Sequence, residues 1–371
     1  MMAEYCRRYG DYTVRVFFDV TPEREAFERE LVEFGVSLPL PHRSAWARCH
    51  PTAPSWFVGV QDGSGQCCGG FALQVNRSRA LPGHLLLRTE RYGAALDNRV
   101  REVGLLALAE LARSQRRVLR VYLEVFSPEE DVRATIARTA SRLGFRRPDR
   151  ARSYENTAVL NLIPRESDIF SSLHSTARRH IRALSKKGFS ICPIVDSVYE
   201  TAMAALYDET LRRTGGVQEP VDWASKIELS SRHPELSRVI GTFEPGEQTP
   251  HSLVAFAWGC MHGDYATYAA AASTRSVSSK VPLTYGPCWD LICWAKRNGA
   301  TWFDFGGITT SSAGHEDRLR GISDFKRYFS NQVIAVGDEW ILEPSPLRGR
   351  LAKAVGASAA WVRANLKRRS R

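Results

Sequence analysis

The stretch Ala300-Thr301-Trp302-Phe303-Asp304-Phe305-Gly306-Gly307-Ile308 decides how the chain is read. Large apolar residues interrupted by one aspartate read as a short buried strand. Asp304 and the pair Gly306-Gly307 stand at its C-terminal end, where ligands of open α/β sheets bind. Two adjacent glycines allow positive φ and a close approach of backbone to a substrate. A polar loop follows from Thr309 to Glu316, and a helix is predicted over Asp317 to Phe329. It sets Lys326 among Phe325, Tyr328 and Phe329. Spacing alone also fits a βα turn with a surface lysine.

Upstream of this stretch, Tyr285 lies in a helical segment predicted over Pro282 to Asn298. Strands are predicted over Arg238 to Phe243, Leu253 to Met261 and Asp264 to Ala272, and helices over Val198 to Arg213 and Val221 to Ser231. Phe170, Leu173, Ala177, Ile181 and Leu184 recur every three or four residues and mark one apolar helix face. Arg178, Arg182 and Lys186 occupy another face, with Arg179 and Lys187 beside them and no acid between Ser171 and Ile191. Such a face is either solvated or a site for anions.

The first half reads as alternating strands and helices. Thr21 caps a helix with Pro22 at its first position and Glu23 and Glu25 in its first turn. Ser127-Pro128-Glu129-Glu130 reads as a second capping sequence, and Gly144 ends the helix after it. Leu38 to Pro54 reads as irregular. Tyr154 to Ile163 reads as the strand that closes this half, and Gln332 to Trp340 as the last strand of the chain. The order suits a mixed α/β layer with a partly parallel sheet.

Asp304-Phe305-Gly306-Gly307 followed by Gly321…Phe325-Lys326 resembles the C-terminal signature of the FemABX aminoacyltransferases. These enzymes move an amino acid from aminoacyl-tRNA onto the stem peptide of a peptidoglycan precursor. Tyr265 to Ser273 resembles the family's aromatic strand that runs into small residues. Tyr285 to Gly299 resembles the helix after it, and Ala177 to Ile191 the basic helix of its second domain. The resemblance covers roughly residues 165 to 345 well and the first half by pattern only.

It implies two tandem acyl-CoA N-acyltransferase (GNAT)-like domains, 1–164 and 165–330, each a mixed sheet flanked by helices. A strand within 331–345 returns to the first domain, and 346–371 is a basic tail. Lys326 takes the place of the family's lysine, for phosphate or oxyanion stabilisation, and Tyr268 that of a tyrosine on the aromatic strand; both are catalytic candidates with Asp304. Asp304 either orients its loop or acts as a base. Arg213 resembles the arginine that meets precursor phosphates, although Gly215-Gly216-Val217 replaces the family's aromatic-rich continuation. Phe325, Gly306, Gly307 and Tyr285 complete the substrate-binding set. Arg178, Arg179, Arg182, Lys186 and Lys187 form the nucleic-acid set.

The chain has 371 residues, a formal net charge of +11 and a sequence pI near 9.4. That surplus points to polyanionic partners rather than to a fold. Aminoacyl-tRNA and a precursor or similar amine are the expected ones, with no metal and no cofactor. The eight cysteines contain no CxxC pair, the start lacks an apolar signal core, and no apolar run is long enough to span a bilayer. A cytoplasmic protein is expected. The tail carries Arg348, Arg350, Lys353, Arg363, Lys367, Arg368, Arg369 and Arg371 and no acid, so it is either frayed or a contact for the inner membrane face or RNA. The acyl-CoA loop Arg/Gln-x-x-Gly-x-Gly/Ala is absent from Arg91-Tyr92-Gly93 and from Arg275 to Lys280. The alternatives that stay open are an acyl-CoA-dependent N-acyltransferase of the same fold and a noncatalytic RNA- or membrane-binding protein.

Overall fold

The computed structural model of the chain describes residues 5–50, 54–149, 151, 153–215, 221–276, 281–308 and 320–355, without the side chains of Arg320 and Ile322. The expected polar loop after Ile308 and the cations from Arg363 onward lie outside these residues. Two compact units divide the chain: one holds the residues up to Ser153 and those from Val336 on, the other runs Tyr154–Ala335.

In the first unit β1 (Tyr5–Tyr9) and β2 (Tyr12–Phe17) lead into α1 (Pro22–Glu33). The Thr21 hydroxyl accepts from Arg24 N at 3.3 Å, as its capping role requires. The expected irregular segment contains α2 (Ser44–Arg48). Next come β3 (Ser55–Gln61), β4 (Cys67–Arg77), β5 (Leu85–Tyr92), α3 (Asn98–Ser114), β6 (Val118–Phe126) and α4 (Glu130–Arg142). Ser127 does not cap α4 directly. Its hydroxyl accepts from Glu129 N at 3.2 Å, and the helix begins two residues beyond the predicted start.

The second unit holds β7 (Asn156–Asn161), α5 (Glu166–Ser172), α6 (Ser175–Lys186), β8 (Ser190–Pro193), α7 (Glu200–Thr214), α8 (Trp223–Arg232), β9 (Ser237–Phe243), β10 (Leu253–Met261), β11 (Tyr265–Ser273), α9 (Tyr285–Arg297), β12 (Trp302–Gly307), α10 (Arg320–Phe329) and β13 (Val333–Ala335). The apolar face expected for one helix from Phe170 to Leu184 is split between α5 and α6. The break falls at His174, whose ring accepts from Thr176 N at 3.2 Å and so starts a new helix.

Each unit is built on a seven-stranded sheet, ordered β1-β2-β3-β4-β5-β6-β14 and β13-β7-β12-β11-β10-β9-β8, where β14 is Gly337–Leu342. Each has one parallel pair, β5 with β6 and β11 with β12. A parallel pair needs a long crossover, supplied by α3 and α9. Both bury an apolar face, through Val103, Leu108 and Leu111 on α3 and Leu291, Ile292 and Ala295 on α9. Beyond the parallel pair each sheet adds an antiparallel strand out of sequence order. β7, expected to close the first half, pairs instead with β12. The expected last strand is two strands: β13 stays with β7, while β14 pairs with β6 from Gly337↔Phe126 to Leu342↔Val121. The strand expected to return to the first domain is β14.

The two parallel pairs differ at their C-terminal ends. β5 and β6 pair again at Tyr92↔Val125, after an irregularity that puts Arg91 at φ 52°. β11 and β12 pair only at Tyr265↔Trp302, Ala266↔Phe303 and Thr267↔Asp304. Past Asp304, β12 stays with β7 at Gly307↔Thr157 while β11 runs on beside β10 to Ser273. The sheet of the second unit therefore opens at Asp304.

A chain cut after Ala335 loses β14 and the buried Trp340, Ile341 and Leu342. At about 1.5–3 kcal/mol per buried side chain, its thermal midpoint should fall by roughly 10 °C or more in a scan against the full chain.

Candidate active site

Asp304 is fully buried, and its carboxylate is held from β7, β11, its own strand β12 and Tyr154 just before β7. Thr157 on β7 and Gly306 N (2.7 Å) donate to Oδ1; the Tyr154 hydroxyl (2.9 Å) and Thr267 on β11 (3.2 Å) donate to Oδ2. A buried carboxylate is tolerable only with such donors. Gly306 sits at φ +75°, which turns the chain back over the carboxylate. Gly307 has no room for a side chain: a Cβ there would lie 2.6 Å from Tyr154 Cβ.

Lys326 is buried on the face of α10 that also buries Ser323 and Phe329, so the surface-lysine reading does not hold. Its Nζ donates to Gly307 O at 2.5 Å and lies 3.6 Å from where a Gly306 Cβ would stand. Burial pulls the Lys326 ammonium down to about 8, and the Asp304 charge opposes that shift. Because this value is below the ordinary 10.5, the unfolded chain binds more protons between those limits. Stability contributed by this group rises as pH climbs through that window, and below it the desolvation cost is present in full.

Aromatic rings wall the other side. Phe325 contacts Tyr268 at 5.8 Å and Tyr285 at 4.9 Å between ring centroids, and Phe329 lies 5.6 Å from Tyr285. Burial pushes the Tyr285 phenol up to about 12, and that of Tyr268 well above its usual value. Both stay neutral near pH 7, as hydrogen-bond donors. Lys326, Asp304, Gly306 and Gly307 thus meet at the opening between β11 and β12, and Phe325, next to Lys326 in α10, packs on Tyr268 and Tyr285.

The basic helix α6 borders this cluster. His174 N donates to Tyr328 O of α10 at 3.0 Å, and the His180 ring lies 5.0 Å from that of Tyr285. Arg179, Arg182, Lys186 and Lys187 are exposed and Arg178 is half-buried. Arg182 sits over the Phe170 ring at 5.0 Å. Among the described residues, none of the five pairs with a carboxylate.

Arg213 lies elsewhere. It ends α7, where Thr210 accepts from Ser273 N at 3.2 Å, and burial and the nearby Arg275 lower its guanidinium pKa. Ser273 is six residues along β11 from Thr267, roughly 20 Å at the rise of a strand. Arg213 and Arg275 thus gather positive charge at the far end of that strand, away from Lys326.

Tyr154, Thr157 and Thr267 were not singled out in the sequence. Thr267 stands next to Tyr268 in the quoted strand, and a hydroxyl facing a buried aspartate was its only signal. Tyr154 and Thr157 are about 150 positions from Asp304 in the chain, and only the pairing of β7 with β12 brings them there.

Two outcomes follow. Thr157→Val keeps the volume and removes a donor to the buried carboxylate, so denaturant unfolding should show a loss of about 1.5–3 kcal/mol. An NMR titration of lysine-labelled chain should place the Lys326 midpoint near 8. Asp304→Asn should lower that midpoint further, since the charge that favours the ammonium is gone.

No family model matches the chain, and no curated protein matches it in sequence. Among solved structures it is similar to FemX, with 14% identity over 88% of this chain and 96% of that one and a TM-score of 0.69. It is also similar to L-PGS from Bacillus licheniformis, with 11% identity over 91% and 97% and a TM-score of 0.51. At these identities the likeness is one of fold. The chain has the FemX-like architecture of two tandem units, each a mixed sheet flanked by helices.

Proposed function

We propose that this chain is an aminoacyltransferase of the FemABX kind, which forms an amide between an amino acid carried on tRNA and an amine of a peptidoglycan stem peptide or a similar acceptor. The observation that carries the reading is the buried Lys326 ammonium at the opening of β11 from β12, in a fold like that of FemX. The residues that resemble the FemABX signature are the ones that line this opening.

In the reaction the acceptor amine attacks the ester carbonyl, the carbon–nitrogen bond forms, and the ester oxygen leaves as a ribose hydroxyl of the tRNA. The attacking nitrogen loses a proton. Negative charge develops on the carbonyl oxygen, and a fixed cation aimed at it lowers the barrier. Lys326 supplies that cation while protonated, either at the oxyanion or at a substrate phosphate. Asp304 already accepts from Tyr154, Thr157, Thr267 and Gly306, so it positions the turn rather than taking the proton. Tyr268 and Tyr285, neutral and packed on Phe325, orient the substrate.

The uncompensated cations of α6 suit the tRNA backbone, and phosphate contacts of this kind weaken binding by roughly 0.7–0.9 log units per contact for each log unit of salt. Arg213 with Arg275 suits an acidic group of the acceptor. The place of action is the cytoplasm, with peripheral contact at the inner membrane face through the basic tail. Among the described residues no helix is long and apolar enough to cross a membrane.

The test supplies tRNA charged with one radiolabelled amino acid at a time, plus a stem-peptide acceptor, and runs acetyl-CoA in parallel. Transfer should be abolished by RNase, restored by fresh charged tRNA, and should decline above about pH 8 as Lys326 loses its proton. Transfer that survives RNase and requires acyl-CoA would replace this reading with the acyl-CoA enzyme. RNA or vesicle binding without transfer from either donor would replace it with a noncatalytic binder.

A further inference from the structure

A helix over 346–355 ends the described part of the chain, and its two faces differ sharply. One face is fixed to the first unit. Ala352 is buried, Arg348 donates to Arg116 O, and a Cβ on Gly349 would lie 2.9 Å from Glu343 Cδ. Glu343 is itself held by Arg120 and, at 3.5 Å, by Arg146. The helix is thereby fixed in orientation, and its opposite face is open.

That open face is apolar along its length. Leu347, Leu351 and Val355 are 76%, 55% and 40% exposed. At about 100° per residue they fall within an arc of roughly 80°. Arg350 borders the arc on one side; Arg348, already bonded to Arg116 O, borders it on the other, and Lys353 lies on the far side near Glu343. No acid occurs anywhere in the sequence after Glu343, and the residues beyond the described helix add Arg363, Lys367, Arg368, Arg369 and Arg371. Aliphatic side chains left in water on a held helix are unusual unless something covers them.

We propose that this face lies on an anionic lipid bilayer, with Leu347, Leu351 and Val355 entering the boundary between headgroups and acyl chains and Arg350 meeting the lipid phosphates. The apolar stripe selects the bilayer over RNA. Phosphate attraction would use the cations alone, and binding to single-stranded RNA relies on aromatic rings rather than leucine and valine. Neither half suffices alone: a short aliphatic stripe binds weakly, and cations add to it only where the surface is negative. The inference deepens the peripheral placement proposed above and is independent of the acyl donor.

The test uses the full chain in flotation assays with vesicles of phosphatidylcholine alone and of equal parts phosphatidylcholine and phosphatidylglycerol. The wild type should float with the second and not the first, and added salt should weaken it. Leu347→Ser with Leu351→Ser should reduce that binding at least about tenfold. Its thermal midpoint should be unchanged, since both side chains are exposed. Arg350→Gln should cut the preference for phosphatidylglycerol by about fivefold. Stripe variants that float as the wild type does, equal binding to both vesicles, or binding to duplex RNA with no flotation would each overturn the proposal. The assay contains no substrate, so it can fail while aminoacyl transfer stands, and the converse holds too.

Discussion

A carboxylate removed from water must be met by donors, and in this chain that demand falls on Asp304. Its oxygens take hydrogen bonds from β7, from β11 and from Gly306 farther along its own strand. Those bonds hold β12 between its neighbours at the level where β11 begins to diverge. The same charge keeps an ammonium in the interior, because Lys326 without it would face burial with only the Gly307 carbonyl for company. Opening, turn and cation are therefore one electrostatic unit, and the glycines are the backbone that lets it close: Gly306 by its positive φ, Gly307 by yielding space to Tyr154.

Among the described residues, the opening at Asp304 has no counterpart in the first unit. Both sheets have the same plan of one parallel pair with an added antiparallel strand. In the first, β5 re-pairs with β6 past its irregularity, and the middle strand carries Glu124 opposite Glu339 on β14. Burial and Glu90 push Glu124 up to about 7, while Arg91 and Arg88 pull the other way. A pair that closes again, with carboxylates crowded beside it, leaves no such opening. The plan of the sheet is duplicated and the opening is not.

Much of this was legible in the sequence because the deciding signals are local. Leu253 to Met261 coincides with β10, and Arg238 to Phe243 with β9 but for its first residue, since continuous apolar residues are bounded there by turn formers. The Asp304 and Gly306-Gly307 strand end was legible for the same reason. What was not legible depends on partners distant in the chain. Nothing in Tyr154 to Ile163 states that it will pair with a strand some 140 positions later rather than with its predecessors. Gln332 to Trp340 looks continuous, yet Val336 and Gly337 mark the point where it changes sheets. Thr157 and Tyr154 read as ordinary polar residues until that pairing puts them on a carboxylate.

The same exchange of strands has a kinetic consequence. Synthesis delivers β7 before its own sheet exists and β14 only after nearly the whole chain has emerged. The first sheet cannot be completed as it leaves the ribosome; β6 waits for a partner more than two hundred residues downstream. Closing so long a loop makes the sequence separation of native contacts high, which slows folding. During that wait β6 presents an unpaired edge to other nascent chains. Holdase chaperones that bind exposed edges would therefore act on this protein late in translation, on the half that was made first.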